Sequence, residues 1–443
     1  MALRRIESGI GVLLAVGMGC DPSPPGETSG NTETSEGSTT EVGAGTVDTG
    51  APSSSTSTEG EASTGSSGSS SSSSADSSGG LEPPPPGGLE PWGYGFELLE
   101  DMHGDRVLME DFDGDGHVDV FTQWRVAPEY TLRTHRGDGT GTGFVGGLAS
   151  TLQWEPIPLA GDFDGDGLPD VASFSGGDGF FVALNDTSGD FVDSRFNPHP
   201  DPWSDANVAL DVDGDLRDDL ALPQLHSSGI DVLHGEGDGF FSFEANLLQP
   251  ACYISGIVGT DLDADGWTDL VATGSCNGVP DYVPLIVYRG GPMGLAVEQT
   301  FSESDAAVHE GAMVLATDAN GDGAMDIVTP VSTTALAVYS GDGSGSLAPP
   351  QIVPYAWTYR TLRLFELWLD PAGPAAYVMA SDTPGQTAVA QWSGGALDTQ
   401  AVELGGTLAG TADFNEDGRS DVVVLVPSDG REPDAVGVWL SIP

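Results

Sequence analysis

The chain has 443 residues and a formal net charge of -55, from 13 Lys+Arg against 68 Asp+Glu. An acidic excess of this size argues against a nucleic-acid partner, because phosphate contacts need clustered Lys and Arg. It argues equally against docking on anionic headgroups through a basic patch, and leaves the carboxylates as solvated surface or as ligands of divalent cations.

The opening "MALRRIESGIGVLLAVGMGC" carries Arg4 and Arg5, an apolar run from Ile10 to Met18, and then Gly19-Cys20. The run is too short to cross about 30 Å of hydrocarbon as a helix, so residues 1–20 read as an export signal. Ending on Gly19-Cys20, the segment resembles a bacterial lipoprotein signal, with Gly17 and Met18 where Leu and Ala or Ser are more usual. That resemblance implies lipidation of Cys20 and a membrane anchor at the cell envelope, on the outer membrane or cell surface. A plain secretory signal with an incidental cysteine is the alternative. Residues 21–91 then collapse to Ser, Thr, Gly, Pro and Glu, including the proline run Pro83 to Pro86. With almost nothing apolar to bury, this segment is expected to be a disordered tether, with a root-mean-square reach of roughly 45 Å.

From residue 92 onward one decamer recurs. Its copies are DFDGDGHVDV at Asp111, DFDGDGLPDV at Asp162, DVDGDLRDDL at Asp211, DLDADGWTDL at Asp261, DANGDGAMDI at Asp318 and DFNEDGRSDV at Asp413. Successive spacings are 51, 49, 50, 57 and 95 residues, so a degenerate copy belongs in the last gap. The stretch LRLFELWLDPAGPAAYVMAS supplies it, keeping apolar flanks around Glu366 to Asp370 without the aspartates. Seven units of about 50 residues mark a solenoid, propeller or array. Within each unit, short apolar and β-branched runs alternate with Gly/Asp/Asn turns, which predicts four strands per unit. An all-β, seven-bladed propeller over 92–443 follows. The last unit stops one strand short, and the spare strand GYGFELLE near residue 94 is predicted to complete it and close the ring.

Numbered from its first aspartate, each decamer offers oxygen donors at positions one, three, five and nine, with a glycine usually at position six. This is calcium-loop spacing, although strand flanks and the missing Glu at position twelve exclude an EF-hand. The pattern resembles the FG-GAP/VCBS repeat family, best known from the integrin-α-like β-propeller. The resemblance implies Ca²⁺ in the loop joining two strands of a blade, at about five to six sites here. Carried over, the ligands are Asp111, Asp113, Asp115 and Asp119 with the His117 carbonyl; Asp162, Asp164, Asp166 and Asp170; Asp211, Asp213, Asp215 and Asp219; and Asp261, Asp263, Asp265 and Asp269. The fifth set is Asp318, Asn320, Asp322 and Asp326, and the sixth is Asp413, Asn415, Asp417 and Asp421. Leu216 replaces the glycine of the third loop, which disfavours a positive φ and predicts a weaker site. The degenerate unit is expected to bind nothing.

Cys252 and Cys276 flank the fourth loop symmetrically, so chain reversal would set them opposite each other. An oxidising compartment permits a disulfide there; two buried thiols are the alternative. The tripeptide Arg136-Gly137-Asp138 matches an adhesion motif but falls on a repeat turn where Gly-Asp-Gly recurs, and the turn accounts for it. The seven histidines form no HExxH pair, and no nucleophile elbow is present. Trp154, Trp203, Trp267, Trp357, Trp368 and Trp392 are expected between blades rather than in a sugar site. The expectation is a monomeric, calcium-binding, envelope-anchored module that binds a protein or glycan without catalysis. Two alternatives stand beside it: a lyase-like polysaccharide-active enzyme, and a purely structural envelope protein.

Overall fold

The computed structural model describes residues 88–442, apart from 127–128, 153–156, 175–178, 201–205, 225–228, 248–251, 277–282, 304–312, 333, 355–361, 371–375, 382–386, 394–395 and 428–433. The signal, Cys20 and the tether up to residue 87 lie outside the described residues. The strands form seven four-stranded antiparallel sheets. Blade one holds Arg106–Glu110, Asp119–Val126, Glu129–Gly137 and Phe144–Leu152, paired in chain order. Blades two to six repeat this meander over 157–198, 208–247, 252–303, 315–354 and 362–402. Blade seven takes three strands from Thr407–Ser441 and its fourth, Tyr94–His103, from the front of the domain. Phe96 opposes Trp439 and Tyr94 opposes Ser441 across that last pair.

The inner strands touch in sequence around the ring, and Thr407–Ala412 of blade seven meets Arg106–Glu110 of blade one. The ring is closed. Leu89, placed by composition in the tether, is fully buried with Trp439 and Tyr94 in the cluster that joins the two ends. The degenerate unit also folds as expected: Leu362–Leu367 pairs with Ala376–Ser381, and Leu364, Phe365, Tyr377 and Val378 are buried. Its apolar alternation builds a blade without any acidic loop, so the loops are not needed to form the strands.

Because the strands of a blade alternate in direction, turns after first and third strands share one face of the ring. The six acidic loops and the Gly-rich hairpins therefore lie together. Apolar residues at position two of the loops anchor that face to the core: Phe112, Phe163 and Val212 are fully buried. Phe112 packs edge-on to Phe191 at 5.8 Å, Phe163 to Phe241 at 5.5 Å, and Phe414 to Phe144 at 5.8 Å. Each pair joins a loop to the fourth strand of the following blade, so the blades lock through loop residues. Side-chain amides add to this, as Gln299 exchanges two hydrogen bonds with the Leu347 backbone of the next blade.

At the closure, Trp439 is 1% exposed, packs edge-on to Phe96 at 5.3 Å and donates its indole N–H to the Leu404 carbonyl. Trp439→Ala is expected to cost about 3–5 kcal/mol, read as a lowered urea midpoint with an unchanged far-UV spectrum at zero denaturant.

Candidate metal centres

The carboxylates of each loop are fixed by the loop's own backbone. In the first loop, Asp111 Oδ1 accepts from the N–H groups of Gly114 and Asp115, and Oδ2 accepts from Gly116 at 2.9 Å. Asp113 accepts from Asp115, and Asp115 from His117. The pattern recurs at Asp162, Asp211, Asp261, Asp318 and Asp413, each of which accepts the N–H of position six. These bonds need a left-handed backbone at position six, where Gly116 has φ 94° and Leu216 is held at φ 68°. Leu216 keeps the third loop in register at the steric cost a side chain meets there. Position four is left-handed too, including Ala264 and Glu416 at φ 57°. The sequence hid that second requirement behind its substitutions.

The fourth donor behaves differently from the other three. Asp119, Asp219, Asp269, Asp326 and Asp421 are fully buried and Asp170 is 1% exposed. In five of the six loops, one oxygen accepts the N–H of position two: Phe112, Phe163, Val212, Leu262 and Phe414. The other oxygen accepts an N–H from the end of the third strand, at Gly137, Asn185, Gly235, Gly290, Gly341 and Ser441. This aspartate therefore ties its loop to the neighbouring hairpin. In the fifth loop, Asp326 Oδ2 has no hydrogen-bond partner although it is buried.

Carboxylate oxygens of Asp111, Asp113 and Asp115 lie within 4.8 Å of one another, as do those of Asp162, Asp164 and Asp170, of Asp211, Asp213 and Asp215, and of Asp261, Asp263 and Asp265. These acidic clusters are of the kind that hold metal ions, and an all-oxygen donor set suits a hard divalent cation. In the fifth and sixth loops, amides at Asn320 and Asn415 stand at position three. Several side chains near the loops escaped the sequence reading. His234 Nδ1 lies 3.2 Å from both Asp213 and Asp219, and Arg289 pairs with Asp263. Arg136 bonds Asp190 at 2.9 Å and lies 3.9 Å from Asp113, which occupies the arginine of the Arg-Gly-Asp tripeptide inside the fold. The signal for all three was the residue just before each hairpin's Gly-rich turn.

The loops also interlock. The position-seven side chain of one loop reaches position four of the loop before it, so that a Cβ at Gly114 would lie 2.8 Å from Leu168 and one at Gly214 2.8 Å from Trp267. His117 pairs with Glu416 in the same manner across the closure. Trp267 is thus an interblade contact, as expected. At the fourth blade, the backbone register sets Cys252 directly opposite Cys276; their side chains lie outside the described residues.

Burial of carboxylates leaves a clear electrostatic signature. Burial raises Asp119, Asp219 and Asp421 to about 6 and Asp170 to about 7, against backbone hydrogen bonds that pull them down. Asp218 is raised to about 6 and Glu110 to about 8, burial again leading and like charges adding to it.

Residues 111–173 match the family model described as the FG-GAP-like repeat. No curated protein matches the chain. Among solved structures, it is similar to the Photorhabdus luminescens Tc holotoxin pore at 16% identity and TM-score 0.35, over 75% of this chain and only 18% of that one. It is similar to the V. cholerae biofilm matrix protein Bap1 at 12% identity and TM-score 0.43, covering 78% of this chain and 88% of that chain. Likeness to the Dos1 propeller is of the same order, at 11% identity and TM-score 0.45, covering 77% and 82%. Matches this distant carry no functional argument.

The raised carboxyls fix a pH dependence for the metal-free protein. Folding binds protons more tightly than the unfolded chain does, so stability is largest below the ordinary carboxyl range and falls as pH rises. In chelator, the melting temperature is expected to drop between about pH 4 and about pH 8, spanning the raised values. Thermal melts across that range check it; a melting temperature that rises steadily with pH would contradict the assignment.

Proposed function

We propose that this seven-bladed propeller with FG-GAP-like repeats is a calcium-stabilised, non-catalytic binding module held at the cell envelope by a lipid anchor on Cys20. One observation carries the calcium reading: the position-one carboxylate is pre-ordered by the position-six N–H in all six copies, and in four of them three carboxylates converge. Pre-ordering like charges within 4.8 Å is unfavourable unless a cation cancels them. The buried, unpartnered Asp326 Oδ2 supports the same reading. Calcium would neutralise the loops that hold it and stiffen the interlocked face. The face opposite the acidic loops is where a protein or glycan ligand would be recognised. A disulfide between the opposed Cys252 and Cys276 would clasp blade four in an oxidising compartment.

Two measurements test this. Adding a calcium chelator is expected to lower the melting temperature by several degrees or more, because an ion that binds only the folded state stabilises it; an unchanged melt removes the calcium reading. The purified chain is expected to be retained on a glycan or envelope-protein array in a calcium-dependent way and to leave polysaccharides at full length. Shortened polysaccharide chains would replace the binding reading with the lyase-like one.

A further inference from the structure

We propose that three of the six acidic loops, the first, third and fourth, carry a guanidinium as built-in counter-ion, and that the other three depend on a divalent cation. The proposal rests on the calcium reading above and asks which loops hold the ion. It begins from strand register. One step beyond the last registered pair of second and third strands, the position-nine aspartate faces Arg136 in blade one, Leu184 in blade two, His234 in blade three, Arg289 in blade four, Ser340 in blade five and Leu440 in blade seven. Directly opposed residues of antiparallel strands share a face. A single register position therefore aims one side chain per blade at the loop carboxylates.

Where that position is basic, the side chain reaches the loop. Arg289 pairs with Asp263 and lies 3.4 Å from Asp269. Arg136 lies 3.9 Å from Asp113 while bonding Asp190. In the third loop, His234 approaches Asp213 and Asp219, and the permanent charge comes from Arg217, which pairs with Asp215. Leu184, Ser340 and Leu440 bring no charge to the second, fifth and sixth loops. Arg419, at position seven of the sixth loop like Arg217 in the third, turns away and donates to the Leu369 and Trp92 carbonyls. The unpartnered Asp326 Oδ2 also falls in the cation-free set. A fixed positive charge a few ångströms from the ligand oxygens repels a second cation, and at Asp215 and Asp263 the guanidinium also occupies a ligand oxygen. The two conditions exclude each other.

Equilibrium dialysis of the full chain against radiolabelled calcium is expected to count about three tightly held ions rather than six. Arg289→Leu, which copies the blade-two residue, is expected to add one ion or to tighten the fourth loop by on the order of tenfold or more. Arg289→Lys keeps the charge and should leave the count unchanged, whereas Leu184→Arg should remove one ion. Ser340→Arg serves in place of any variant that fails to fold. Six equivalent ions in the unaltered protein, or an unchanged count in both Arg289→Leu and Leu184→Arg, would overturn the proposal while leaving the calcium reading intact. No calcium uptake by any form would overturn the calcium reading, and this proposal with it.

Discussion

A buried carboxylate with both oxygens on backbone amides is the interaction on which this molecule depends. Asp119, Asp170, Asp219, Asp269 and Asp421 each join their own loop to the end of the third strand. Hydrogen bonds to a charged group are each worth about 1.5–3 kcal/mol, and an unsatisfied buried charge costs more than that. The residue is therefore constrained on every side. With it in place, position two is forced inward, positions one, three and five are left facing outward, and the loop has one shape. Loop geometry, blade docking and the clustering of carboxylates all follow from that single anchor.

The interblade contacts extend the same constraint around the ring. A loop pinned by its aspartate presents Phe112 or Phe163 to the fourth strand of the next blade, and offers position four to the next loop's side chain. Each blade is thus set by its neighbour. Blade six stands outside this scheme, and it is tied by other means. Glu366, buried within its first strand, accepts a hydrogen bond from Thr317 of blade five, and the Trp368 N–H donates to Ser420 of blade seven. A blade can lose its acidic loop where side-chain bonds of this sort span the gap.

Most of the fold was legible because its signals are local and repeated. Six decamers at a near-constant period gave the blade count, and the surplus strand ahead of Arg106 gave the closure. The donor positions were legible for the same reason, since aspartate spacing within a turn is read directly. What escaped depends on register. Nothing in the string HRGDG announces that Arg136 faces Asp119, because that pairing appears only once two strands are aligned. Burial escaped as well: position nine looked like the fourth of four equivalent donors, and its neighbours in space make it the anchor. The left-handed residue at position four was masked by Ala264 and Glu416, which adopt a conformation their types rarely favour.

The closing strand gives the molecule a mechanical grain. Any pull transmitted through the residues ahead of 88 enters the propeller at Glu90–Trp92 and passes directly into Tyr94–His103. The load then falls on the backbone ladder to Ala435–Ser441, from Tyr94 opposite Ser441 onward. Arg419 grips the entry point by donating to the Trp92 carbonyl and lying 4.9 Å over the Tyr94 ring. The seam that completes the circle is also the place where tension is first felt, so its stiffness sets how much force the ring bears before it opens.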